Sequence, residues 1–133
     1  MTIAPRLPPR SPRKPRDRNA EGRIQASIVE WVRAVAPGVV VYAVPNGGLR
    51  SKSEAARMKW QGVLAGVPDL AVVCDGHAFF IEVKAIGGVL TGSQKETIPL
   101  LQEAGARVEI ARSIDDARAA FAAWGIATRE VFP

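Results

Sequence analysis

Residues 68–84 read PDLAVVCDGHAFFIEVK, and the fold turns on how this stretch doubles back. Two apolar runs, 70–74 and 78–85, flank Asp75-Gly76. An Asp-Gly pair between β-branched and aromatic runs predicts a two-residue hairpin turn. The runs are continuously hydrophobic, as expected of strands covered on both faces and therefore central in a sheet. Asp69, Glu82 and Lys84 break that pattern, and charge taken out of water is expensive unless it is paired or bound to metal. If Asp75 and Gly76 are the two turn residues, Cys74 faces His77 and Asp69 stands opposite Glu82 with Cβ atoms roughly 5 Å apart. Lys84, two residues past Glu82, projects to the same face. A three-residue loop would shift this register by one and undo the match.

The elements outside the hairpin follow from periodicity. Ile24, Ile28, Trp31 and Val35 recur at helical spacing and predict a helix over 21–35, with Asn19 as a possible cap and Pro37-Gly38 as its stop. Residues 39–44 read as a strand ended by Pro45. After the turn Pro45-Asn46-Gly47-Gly48, a short basic helix is expected over 51–61. A helix opened by Thr91 or Ser93 and closed by Gly105 follows the hairpin, then a strand over 107–111 and a helix over 114–124 begun at Ser113. This order describes an α/β domain with a mixed sheet of about four strands flanked by helices, the unit over 78–111 being parallel.

The net charge is +5, and it is confined to one end. Residues 1–20 hold six basic residues, one acid and five of the ten prolines, leaving 12 basic and 12 acidic residues that cancel. The chain is therefore divided into a disordered basic tail, 1–20, and a single domain, 21–133. A basic arm suits phosphate binding, although a solubilising extension has the same composition. The one cysteine, Cys74, lies in an apolar run, which excludes an intrachain disulfide and fits a reducing cytoplasm in a bacterial or phage-infected cell. No apolar run reaches membrane-spanning length, and none has the form of a signal peptide.

Two carboxylates placed as Asp69 and Glu82 repel each other unless a cation lies between them. Oxygen donors without histidine or cysteine suit Mg²⁺ or Mn²⁺. A hard divalent ion there can activate water and neutralise a phosphodiester, and Lys84 beside it can stabilise the growing negative charge. The competing explanation is an ordinary ion pair between Lys84 and an acid at the strand ends.

At this point the residues match a known pattern. Pro68-Asp69 followed by Glu82-Val83-Lys84 resembles the PD-(D/E)xK nuclease signature. With Glu21, Pro45-Asn46-Gly47-Gly48, Gly66-Val67-Pro68-Asp69-Leu70, Gln94, Leu101 and Gly105, the chain resembles a stand-alone VRR-Nuc domain over most of 21–112. The resemblance implies a restriction-endonuclease-like core and a metal-dependent DNA endonuclease. It implies that Asp69 and Glu82 are metal ligands, that Lys84 is catalytic, that Glu21 is a further acidic ligand or water-positioner, and that Gln94 shapes the site. It also implies branched DNA of the Holliday-junction type as substrate and a homodimer as the working form.

DNA contact is expected from Asn46, Gly47 and Gly48, whose glycines let backbone approach a phosphate, and from Arg50, Lys52, Arg57 and Lys59 along the next helix. Trp31 and Trp60 read as core or interface residues. His77, at the hairpin tip, is not expected to act as a base. The alternative function is a non-catalytic DNA-binding accessory module of the same fold.

Overall fold

The computed structural model describes residue 4 and residues 19–45 and 51–130. The expected disordered tail, apart from Ala4, Asn19 and Ala20, lies outside the described residues, as do Asn46, Gly47, Gly48 and Arg50. The elements run α1 (Ala20–Val35), β1 (Val40–Ala43), α2 (Lys52–Trp60), β2 (Leu70–Cys74), β3 (His77–Val83), α3 (Gly92–Glu103), β4 (Arg107–Ala111) and α4 (Ile114–Trp124).

One mixed four-stranded sheet has the order β1-β2-β3-β4, so the two apolar strands are the inner ones. β2 pairs antiparallel with β3, Leu70 opposite Ile81 and Cys74 opposite His77. That register requires a two-residue turn, and both turn residues take positive φ, Asp75 at 49° and Gly76 at 77°. Such a pair matches the right-handed twist of the strands it joins. β3 and β4 run parallel, Glu82 opposite Ile110, with α3 as the crossover. β1 lies antiparallel to β2 along one edge.

The core occupies one face of the sheet. Leu70, Val72, Phe79, Ile81 and Val83 alternate toward Ile28, Trp31 and Val32 of α1 and Ala117, Ala120, Phe121 and Trp124 of α4. Phe79 stacks on Trp124 at 4.8 Å between centroids, and Trp31 meets Phe121 edge-on at 5.1 Å. α3 packs along β4, and its Thr97 and Ile98 are buried. Asp69, Glu82 and Lys84 belong to the residues that alternate away from the α1–α4 core.

Two local expectations change. Asn19 precedes α1 but makes no capping side-chain bond, because φ −103° and ψ 2° are not the extended conformation a capping side chain needs. The third helix also contains Pro99, which sequence reading passed over. Thr91 and Ser113 do cap α3 and α4, accepting from Gln94 N and Asp116 N. Among the described residues no helix is long and apolar enough to cross a membrane.

Candidate active site

Asp69 lies one step beyond the last paired position of β2. Its backbone carbonyl accepts from Val44 N at 2.8 Å, and its Oδ2 accepts from Val83 N at 2.8 Å. The side chain thus takes the place of the next rung of the ladder and ties the start of β2 to the end of β3. Glu82, opposite it, is 1 % exposed. Lys84 is 4 % exposed, and its Nζ lies 3.6 Å from Glu82 Oε1 and 4.0 Å from Glu21 Oε1. Its backbone N donates to Ala111 O at 3.0 Å, which continues the parallel ladder one residue past β3. The alternation that placed Asp69, Glu82 and Lys84 on one face from sequence is the arrangement observed.

Glu82 is the strained member of the set. Burial pushes its carboxyl up from 4.5 to about 8, and the neighbouring Asp69 carboxylate pushes the same way; Lys84 pulls it down without cancelling them. One oxygen is occupied, since Oε1 accepts from Gln94 Nε2 at 2.8 Å. Oε2 is buried with no hydrogen-bond partner. Buried carboxylate oxygens are rarely left so, and an orphan oxygen beside a second carboxylate fits a cation-binding position.

Gln94 holds Glu82 through the start of α3. Its Oε1 accepts from Thr91 N at 2.9 Å, so the capping box leaves the amide nitrogen facing Glu82. The N-terminal turn of α3 is located in turn by residues 62–68. Gly66 has φ +82°, and a Cβ there would stand 2.3 Å from Ser93 O. Thr97 Oγ1 donates to Ala65 O at 2.6 Å in the same contact. Arg112 secures the other side. Its Nη1 donates to Ala85 O at 2.7 Å and Gly88 O at 2.8 Å, clamping the turn that follows Lys84. Sequence reading named neither Gly66 nor Arg112 as a support. The glycine in Gly-Val-Pro-Asp was a usable signal, whereas nothing near Arg112 marks it.

The outer residues are placed less tightly. Glu21 joins from the first turn of α1, with its side chain half exposed, and its carboxylate meets Lys84. Among the described residues no group of three histidine, cysteine or acidic side chains is gathered so as to hold a metal ion. The acids form a pair, Asp69 and Glu82, with Glu21 across Lys84. Lys52, Arg57 and Lys59 are exposed on α2, a helix without a buried residue. Trp31 is buried as expected, but Trp60 is 86 % exposed and is not a core residue. His77 is exposed at the hairpin tip, bonded to Asp75 O. The thiol of Cys74 is raised by burial and by Asp75, which disfavours a nucleophilic role.

The VRR-NUC domain profile matches residues 16–115. The chain belongs to the VRR-NUC family. Among solved structures, one described as a VRR-NUC domain protein is 26 % identical with a TM-score of 0.62, covering 79 % of this chain and 87 % of its own. Another, described as a VRR-NUC domain, is 24 % identical with a TM-score of 0.55, covering 75 % and 91 %. A search of curated proteins gave no match. This VRR-NUC domain therefore has a nuclease-type fold, and the family match includes every residue of the cluster around Glu82.

Proposed function

We propose that this VRR-NUC domain is a divalent-metal-dependent DNA endonuclease that hydrolyses phosphodiester bonds in branched DNA and works as a homodimer. The observation that carries the reading is Glu82 Oε2, a buried and unpartnered carboxylate oxygen on a side chain that faces both Asp69 and Lys84. Asp69 and Glu82 would hold Mg²⁺ or Mn²⁺, with Glu21 as the further acid at the rim. Bound there, the ion would supply positive charge against the phosphodiester and lower the pKa of a water.

The chain's own residues do the rest. Gln94 orients Glu82 by occupying Oε1 and leaving Oε2 open. Lys84, withdrawn from bulk water, keeps its ammonium against two acids, from where it can stabilise charge developing on the phosphate oxygens. The basic residues of α2 would contact the DNA backbone. The resemblance to stand-alone VRR-Nuc domains supports the branched substrate and the dimer, since a two-fold assembly suits a two-fold junction.

The test uses an end-labelled four-way junction, a 5′ flap, a plain duplex and a single strand, each with Mg²⁺, Mn²⁺ or EDTA. Cutting is expected only with metal and fastest on the junction, and Lys84→Ala should lower it by roughly 10²–10⁴. Binding without cutting under every metal condition would refute catalysis and leave a DNA-binding module. Preference for the plain duplex would refute the branched substrate.

A further inference from the structure

Helix α2 has nine residues and buries none of them, although so short a helix has little stability of its own in water. Its C-terminal end is apolar and open: Trp60 is 86 % exposed, Val63 43 % and Leu64 49 %. The other two tryptophans, Trp31 and Trp124, are both buried in the core. At about 100° per residue, Lys52, Trp60, Arg57 and Lys59 fall within an arc of roughly 160°, with Glu54 outside it. A flat aromatic face framed by cations suits a polyanion that has flat apolar faces of its own. A second copy of the chain docked on the same helix would instead set these cations against their like.

We propose that Trp60 is a stacking platform for an unpaired nucleobase, with Lys52, Arg57 and Lys59 holding the neighbouring phosphates. Along the chain, Trp60 precedes Asp69 by nine residues, with α2 and β2 on either side of the connecting loop. This deepens the function proposed above by giving the substrate an unpaired base, and it rests on that reading only in taking the polyanion to be DNA.

The test uses Glu82→Gln protein in EDTA, so that DNA is bound and not cut. Tryptophan emission is followed while oligodeoxythymidylate or a fully paired duplex is added. Stacking on the one exposed tryptophan quenches emission with the oligonucleotide and far less with the duplex. Adding Trp60→Phe preserves binding and removes the quench. Adding Trp60→Ala weakens oligonucleotide binding about 5- to 100-fold while duplex binding and circular dichroism stay the same. Binding without quench, an affinity changed by less than about twofold in Trp60→Ala, or no DNA binding at all would overturn the proposal. So would sedimentation showing a dimer that Trp60→Ala dissociates without loss of DNA affinity. Neither readout involves cleavage, so a failure of stacking and a failure of nuclease activity are told apart.

Discussion

Replacing Glu82 by glutamine should stabilise the metal-free domain at alkaline pH and do little in acid. Burial and Asp69 hold the Glu82 carboxyl up at about 8 in the folded protein, against 4.5 for the ordinary group. Between those two values the folded chain binds a proton that the unfolded chain has released, so stability falls as pH rises. The favourable contribution is fully present below pH 4.5 and is lost by the time pH passes about 8. Integrating that difference from pH 5 to pH 8 gives a loss on the order of 3 kcal/mol, a large part of the total stability of a small domain. Glutamine cannot ionise, and its amide can still accept from Gln94, so the variant lacks the loss. Urea unfolding in EDTA, followed by the emission of the buried Trp31 and Trp124, measures both proteins at the two pH values. With a slope of about 1–3 kcal/mol per molar urea, wild type should lose roughly 1–3 M of midpoint relative to Glu82→Gln. Parallel pH profiles for the two proteins would refute the reasoning.

Three further outcomes follow from the same geometry. At pH 8, millimolar Mg²⁺ or Mn²⁺ should raise the thermal midpoint of wild type by several degrees and leave Glu82→Gln and Asp69→Asn nearly unmoved; equal shifts in all three would place the ion elsewhere. Gly66→Ala should destabilise by about 2–4 kcal/mol, because a Cβ 2.3 Å from Ser93 O forces α3 away and a positive φ strains alanine; calorimetry showing wild-type stability would overturn that contact. Gln94→Ala should lower metal-dependent cleavage about 10- to 100-fold with DNA affinity unchanged, and a matching loss of affinity would move Gln94 from positioning Glu82 to holding DNA.

The hairpin was legible from sequence because a single local feature determines its register. Asp75-Gly76 admits a two-residue turn, and with side chains alternating every residue that turn decides which of them meet. Asp69, Glu82 and Lys84 were legible for the complementary reason: charge inside an apolar strand stands out against its neighbours. The supports were hidden because they are contacts between distant segments. Arg112 reaches Ala85 across 27 residues, and Gly66 meets Ser93 only once α3 is laid against the loop. Trp60 was read as core or interface, and it is not core: a residue's type predicts its average burial, whereas the structure decides whether anything in the chain is there to cover it. Asn19 has a capping residue's chemistry without the backbone conformation to use it.

The supports around Glu82 also explain why an unfavourable carboxyl can persist there. Left alone, a buried acid with an orphan oxygen would be relieved by rotation toward water or by a shift of its strand. Glu82 lies on an inner strand, next to a residue whose backbone N is held by Asp69 Oδ2, and its Oε1 is held by Gln94. Gln94 cannot swing away without breaking the cap of α3, and α3 cannot retreat without opening the Gly66 contact. Arg112 clamps the turn beyond Lys84, which keeps the ammonium from following an outward movement of the chain. Each path of relaxation is closed by a different element, so the tension stays on Oε2. A proton relieves the carboxyl below about pH 8, and above it a ligand that satisfies that oxygen is the remaining route. On the function proposed above, the same arrangement that weakens the metal-free domain at alkaline pH would favour a cation where phosphodiester chemistry would use it.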